Sequence, residues 1–277
     1  RIAKVGPRVR PGVLWASLLF LPHLAAAGTF TPLGDLPGGD FSSYARAISD
    51  DGKVIVGSST SGEGQEAFRW TPEGGMVGLG FPPAAMAPGA ATDLSGDGSI
   101  AVGTVRGEAG LRAFLWTHVA GAVPLGEPPV PGADVKASRM TRDGTVVVGS
   151  MIAVNASRAF RWTASEGLTG LPYLQAGDSE NSASAVSDDG TVVVGLSEGS
   201  SAQQAVRWTT AGDVVGLGFL PGGTHRSGAT AVSADGSIVF GYSEVNSGYQ
   251  AFRWTEAGGL EAISDLPDMD QQYLILD

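Results

Sequence analysis

Aspartates that recur at a fixed spacing are the first residues in this sequence that could do chemistry. Each precedes a glycine, and successive copies lie 46 residues apart: Asp51, Asp97, Asp143, Asp189 and Asp235. A ring of carboxylates would attract a metal cation, but a calcium loop gathers several oxygen ligands in one short segment, unlike this spacing. Aspartate also bonds nearby backbone amides in tight turns. We therefore predict that these residues shape turns, and we assign no metal ligands.

Arginines beside tryptophan form a second repeated set, at Arg69, Arg161, Arg207 and Arg253. A ring of guanidinium groups would bind an anion. The alternative is structural, because guanidinium groups pack on aromatic faces and pair with acids. We favour the structural interpretation, with the arginines packed or paired between neighbouring repeats.

Few residues suit catalysis. The chain has no cysteine and three histidines, at His23, His118 and His225. The last two fall in predicted turns or loops without a nucleophile motif before them, which argues against a serine triad. Glycoside hydrolysis needs two carboxylates, and the strands predicted to be innermost carry only Asp93. We predict no catalytic or cofactor-binding residues, and a polysaccharide hydrolase is the least favoured function.

The elements that position these residues follow an internal repeat of 46 residues. Tryptophan recurs with this period, and so does the glycine of each Asp-Gly pair, always 18 residues before the next repeated tryptophan. Five copies without insertion or deletion indicate one structural unit in equivalent environments. The repeated tryptophans, predicted to lie in the core between units, are Trp70, Trp116, Trp162, Trp208 and Trp254. We place the repeats at about residues 35–80, 81–126, 127–172, 173–218 and 219–264.

Each repeat contains the pattern of four short strands. In the first repeat they cover residues 45–49, 53–57, 67–71 and 75–80. Asp-Gly between two apolar runs predicts a tight hairpin, because glycine adopts positive φ without a Cβ clash. Four strands in about 46 residues predict an all-β fold, a β-propeller of four-stranded antiparallel blades. A β-solenoid with two coils per repeat is the alternative.

The number of blades follows from the repeats as five, with an incomplete sixth as the alternative. Residues 29–34 match a lone fourth strand before the first repeat. Residues 273–276 are either a closing strand or the first strand of a sixth blade, and the chain is interpreted as a fragment.

Three features of the repeat resemble a known family. They are the Ala-Phe-Arg-Trp strand, the Ile/Val-Ser-x-Asp-Gly turn, and Leu-Pro-Gly-Gly at residues 36–39 and 220–223. Together they are similar to the HAF-type extracellular repeat of bacteria, over residues 33–267. Leu115 and Val206 depart from the strand motif, and repeats two to four lack Leu-Pro-Gly-Gly. The resemblance implies a secreted bacterial protein and supplies no catalytic residues.

The first 27 residues are typical of a secretory signal peptide. They combine four basic residues and no acid with a short apolar run, Val13–Leu21, and end in three alanines. Cleavage there would leave a repeat domain of residues 28–277 without a predicted membrane span, secreted or held at the cell surface. The net charge of −11 disfavours nucleic-acid and anionic-membrane partners.

Binding is the favoured function, because variable loops on a rigid scaffold commonly carry recognition. The connections after the second and fourth strands share one face and are predicted to be long. Their aromatic residues are the candidate ligand contacts: Phe41, Tyr44, Phe81, Tyr173, Phe219, Tyr242 and Tyr249. The predicted partner is a carbohydrate or a protein, bound by a monomer. The alternatives are aromatics that fill gaps between blades, and a spacer module of a larger surface protein.

Overall fold

Residues 30–263 are described by the computed structural model, and all of their regular structure is β-strand. The described residues from 33 onwards belong to one compact unit. The predicted signal peptide and the predicted strand at residues 273–276 lie outside the described residues. Residues 30–34 are described and do not form the lone fourth strand that the repeat pattern predicts. That prediction was wrong because a strand needs a paired neighbour, whatever its sequence.

Within residues 30–263, twenty strands group into five consecutive antiparallel meanders of four strands each. Meander 1 contains β1 (Gly38–Ile48), β2 (Ile55–Ser61), β3 (Gly64–Thr71) and β4 (Gly75–Gly78). Meander 2 contains β5 (Ala85–Leu94), β6 (Ile100–Gly107), β7 (Gly110–Thr117) and β8 (Gly121–Pro124). Meander 3 contains β9 (Asp134–Met140), β10 (Val146–Ala153), β11 (Ala156–Thr163) and β12 (Gly167–Gly170). Meander 4 contains β13 (Glu180–Val186), β14 (Val192–Glu198), β15 (Gln203–Thr209) and β16 (Val214–Gly218). Meander 5 contains β17 (Ser227–Val232), β18 (Ile238–Val245), β19 (Gly248–Thr255) and β20 (Gly259–Ala262).

The turn between the first and second strands has the predicted Asp-Gly chemistry. In meander 1 the Ser49 hydroxyl donates to Asp51 Oδ1 at 2.7 Å, and the Lys53 amide donates to the same oxygen at 3.0 Å. Gly52 has a φ of 71°, the left-handed conformation that glycine adopts readily. The four later turns repeat these two bonds, with threonine replacing serine in meander 3.

Successive meanders stack face to face, and their apolar cores lie between them. Val56 and Leu79 of meander 1 share one core cluster with Ala91 and Phe114 of meander 2. Three further clusters join meanders 2 to 3, 3 to 4 and 4 to 5 in the same way. The first strands of successive meanders also contact one another, which places them innermost, as the chain order predicts.

The connection after the second strand is shorter than the sequence predicts. The segments expected to be long connections after the second strand, such as residues 58–66, are mostly strand, and β2 and β3 are joined by only residues 62 and 63. The prediction was wrong because polar residues such as Ser58 and Ser59 suggest an exposed connection. In the structure they are buried inside the sheet. The connections after the fourth strand are long, at residues 79–84, 125–133, 171–179 and 219–226.

Candidate functional site

A pocket on meander 1 brings together small polar side chains and one predicted aromatic residue. The pocket has a volume of about 150 Å³ and is lined by Ser42, Tyr44, Ser58, Ser59, Thr60 and Gln65. All of these side chains are uncharged at neutral pH, and each carries a hydroxyl or an amide. The pocket can therefore exchange several neutral hydrogen bonds with a ligand.

An irregular register between β1 and β2 accompanies the pocket. Gly38 is opposite Ser61, and the next pair is Ser43 with Ser59, so three extra residues of β1 bulge away from β2. In meander 4 the same strands pair without a break at this end, from Glu180 with Glu198 onwards. Such bulges redirect side chains at the margin of a sheet. The bulge makes this end of meander 1 unlike the regular pairing in meander 4.

Two serines of the pocket differ in their hydrogen bonding. Ser59 Oγ accepts the backbone N–H of Leu36 at 3.0 Å, which ties the incoming chain to β2. Ser58 Oγ is buried and, among the described residues, has no hydrogen-bond partner. A buried hydroxyl without a partner costs about 1–3 kcal/mol. Because Ser58 is 0% exposed, its hydroxyl lies beneath the surface of the pocket.

Two of the seven predicted aromatic residues lie on the exposed part of β1. Tyr44 lines the pocket with 65% of its side chain exposed, and Phe41 is 97% exposed. Both belong to a strand, whereas the sequence placed them in a connection. Tyr44 is the predicted residue that the structure brings to the pocket.

Three further candidates lie on meander 5 and the connection that precedes it. The rings of Tyr242 and Tyr249 meet edge to face at 5.4 Å, and Phe219 packs against His225 at 5.3 Å. Gln203 Nε2 of meander 4 donates to Tyr242 Oη at 3.2 Å. This second aromatic group is separate from the pocket on meander 1.

The remaining two candidates fill gaps in the protein. Phe81 packs against the core between meanders 1 and 2. Tyr173 Oη donates to the Ser157 carbonyl at 3.3 Å, and the Arg158 guanidinium lies 5.9 Å from the Tyr173 ring centre. Both match the alternative interpretation of these aromatics as packing residues.

The repeated aspartates act in their turns. Bonds from the Ser95 hydroxyl and the Ser99 amide lower the pKa of Asp97 to about 2, and equivalent bonds lower the pKa of Asp235 to about 2. Within residues 30–263, no group of three or more histidine, aspartate or glutamate side chains is placed to hold a metal ion.

Two of the four repeated arginines, Arg161 and Arg253, pair with an acid of their own meander, not between meanders as expected. Arg161 Nη1 lies 3.1 Å from Glu166 Oε2, and Arg253 Nη1 lies 3.9 Å from Glu261 Oε2. The acids are close because the fourth strand pairs directly with the arginine strand, and the turn between them is short.

Asp93, the acid on an innermost strand, is bonded to the backbone. Its two carboxylate oxygens accept the amides of Leu94 at 3.0 Å and of Met140 in meander 3 at 2.9 Å. Burial raises the pKa of Asp93, against the lowering effect of these amides and of Arg139. The contacts place Asp93 at the junction between meanders 2 and 3.

A charged cluster joins three meanders at the Asp-Gly turns, and sequence analysis missed it. The Arg142 guanidinium pairs with Asp50 and lies 3.7 Å from Asp188. These residues occupy the variable position of the Ser/Thr-x-Asp-Gly turn in meanders 3, 1 and 4. Gly96 holds this position in meander 2, and a Cβ there would collide with the Asp50 carboxylate. The available signal was the presence of charged residues of both signs at one position of the 46-residue period.

Comparison with known proteins supports the fold and does not identify a family. No protein-family model matches the sequence, and no curated protein matches it. Among solved structures, TolB from Acinetobacter baumannii is similar at 16% identity and a TM-score of 0.54, over 81% of this chain and 55% of that one. This chain thus spans about half the length of that TolB.

Two other solved structures are similar to this chain in fold. A putative TolB from Agrobacterium tumefaciens is 17% identical with a TM-score of 0.54, over 81% of this chain and 80% of that chain. A prolyl endopeptidase is 12% identical with a TM-score of 0.57, over 82% of this chain and 36% of that chain. The all-β fold is therefore propeller-like. No helix long and apolar enough to cross a membrane occurs in the part of the chain that the structure describes.

Proposed function

We propose that this protein is a secreted binding module that holds a carbohydrate at the pocket on meander 1. The observation that carries the proposal is a pocket lined by hydroxyl and amide side chains that also presents the exposed Tyr44 ring. Sugars combine a ring face, which stacks on aromatic side chains, with hydroxyls that donate and accept hydrogen bonds. The uncharged lining favours a neutral sugar unit over an acidic one.

The proposed mechanism is non-covalent binding, in which no reaction is catalysed. The Tyr44 ring forms a platform for the sugar face, and the Gln65 amide with the hydroxyls of Ser42 and Thr60 orients the sugar hydroxyls. Asp93, the acid considered for hydrolysis, has both oxygens engaged by backbone amides.

The wider identity of the chain is part of the same proposal. We infer a HAF-type bacterial repeat protein with five propeller blades, exported by residues 1–27. Its five described meanders, each with an Asp-Gly turn, support this inference. The resemblance of the repeat motifs supports the export and the bacterial origin.

A screen of the full chain against immobilised neutral and acidic oligosaccharides tests this function. We expect neutral glycans to bind, and the Tyr44→Ala variant to lose at least about tenfold in affinity, since burying the apolar surface of a large side chain contributes about 1.5–3 kcal/mol. Tyr249→Ala is the matched control, because Tyr249 is also exposed and lies outside the pocket. Absence of glycan binding, or equal loss in both variants, would contradict the proposal.

A structural spacer is the second candidate function, because meanders 1 and 5 both have exposed apolar faces. Ile48 on meander 1 is 58% exposed and Ile263, after the last strand of meander 5, is 40% exposed. Such faces suit a module that packs against others in series.

A further inference from the structure

Each meander has two faces, and at the four internal junctions one face packs on the preceding meander and the other on the following one. We call the face that contacts the preceding meander the front face, and the face that contacts the following meander the back face. At one front-face position the alanines are at most 4% exposed in meanders 2 to 5, at Ala91, Ala137, Ala183 and Ala229. The equivalent Ala45 of meander 1 is exposed. The front face of meander 1 is therefore uncovered around Ala45, although Phe68 and Ser59 on the same face are buried.

The back face of meander 5 is uncovered as well. At one back-face position the side chains are at most 1% exposed in meanders 1 to 4, at Val56, Val102, Val148 and Val194. The equivalent Phe240 is 36% exposed. Ile263 is also exposed, although its four equivalents, from Leu79 to Leu217, are buried. An exposed apolar sheet face of this kind commonly marks an interaction site.

The four internal junctions show which surface covers a back face. In each case the back face of one meander packs against the front face of the next. Among the described residues, the uncovered front face is that of meander 1. The two exposed faces are thus the two complementary halves of one interface that the chain already builds four times.

Hydrogen-bonding groups on the two faces also match. At the junction of meanders 4 and 5, the Ala205 amide donates to Ser227 Oγ at 2.9 Å, and at the previous junction the Ala159 amide donates to Asn181 Oδ1. The equivalent donor on meander 5 is the Ala251 amide. The equivalent acceptor on meander 1 is the Ser43 hydroxyl. Serine stands at this position in meanders 1 and 5 alike.

We propose that the back face of meander 5 binds the front face of meander 1 of a second copy of this chain. The contact is head to tail, so one copy uses its last meander and the other its first. Ile48 of one copy then lies in the interface formed with Phe240 of the other. This differs from the monomer expected from the sequence. The proposal is independent of carbohydrate binding, which concerns the pocket at the end of β1 and β2.

Sedimentation velocity of the full chain over a hundredfold range of concentration tests the proposal. We expect species larger than the monomer, with a mean mass that rises with concentration. Ile48→Arg and Phe240→Arg each place a charge on one of the two faces, and each variant alone should be monomeric. Both side chains are already exposed, so the substitutions should leave the fold intact, which circular dichroism will verify.

Mixing the two variants separates a head-to-tail contact from a symmetric one. Ile48→Arg retains an intact back face and Phe240→Arg an intact front face, so an equimolar mixture should form a 1:1 dimer and nothing larger. Val119→Arg, in an exposed turn, is the charge control and should associate like the unmodified chain. A chain that is monomeric throughout, or variants that associate alone, or a mixture that stays monomeric, would overturn the proposal.

Discussion

The indole N–H of Trp208 in meander 4 donates to the carbonyl of Pro172, in the connection that leaves meander 3, at 2.8 Å. Trp162 makes the corresponding bond to the Leu125 carbonyl, also at 2.8 Å. Both bonds link a meander to the chain that enters it. At these two positions the repeated tryptophan is a packing residue, as its period of 46 residues predicts, and it also has a specific polar anchor.

Trp208→Ala should destabilise the protein far more than Trp70→Ala at the same position of the repeat. Trp208 is 1% exposed, whereas Trp70 lies half-buried on the uncovered front face of meander 1. Removing a buried tryptophan costs about 3–5 kcal/mol, and the cost at Trp70 should be less than half of this. Urea unfolding followed by circular dichroism measures both values. Equal losses would mean that the front face of meander 1 is covered in solution.

Gly149→Ala should destabilise the protein by at least about 1–3 kcal/mol, since the new methyl group would overpack the sheet. A Cβ at Gly149 would collide with the Lys136 carbonyl oxygen and would lie 2.9 Å from the Phe160 ring. Gly62→Ala is the control, because the nearest atom to its Cβ is 3.6 Å away.

Thermal unfolding of the two glycine variants gives the comparison directly. Gly62→Ala should stay within about 0.5 kcal/mol of the unmodified chain, as is usual for exposed positions. Similar melting temperatures for both variants would show that meander 3 can move apart at β9 and β10, against the close approach in the structure.

Stability should fall as the pH decreases from about 4 to about 2. The pKa values of Asp97 and Asp235 are lowered to about 2 in the folded protein, from a reference value of 3.8. Because the unfolded chain takes up protons first, acid favours unfolding across this interval, and the contribution is fully present above it. Melting temperature measured against pH will show the decline.

The double variant Asp97→Asn with Asp235→Asn should be less stable at pH 7 and should lose less stability on acidification. Asparagine does not titrate, so the difference from the unmodified chain should shrink towards pH 2. Asp40→Asn, at an exposed position of β1, is the control. A double variant with an unchanged pH profile would exclude the turn aspartates as the cause.

Sequence alone predicted the repeat, four strands in each copy and the role of the Asp-Gly turns. These features depend on interactions between residues close together in the chain, as in the turn where Ser49, Asp51 and Lys53 bond one another. The packing of Trp116, Trp162, Trp208 and Trp254 between meanders followed from their identical spacing. The prediction failed where polar residues occupy buried strand positions, as Ser58 and Ser59 do.

Tertiary structure decided the pocket on meander 1 and the charged cluster at the turns. The pocket depends on the register of β1 against β2, and the Asp50–Arg142 pair depends on three meanders stacking with Gly96 between them. The exposed faces of meanders 1 and 5 carry nearly the same residue types as the buried ones. Only the presence or absence of a neighbouring sheet makes them different, and a repeating sequence does not encode that difference within any one repeat.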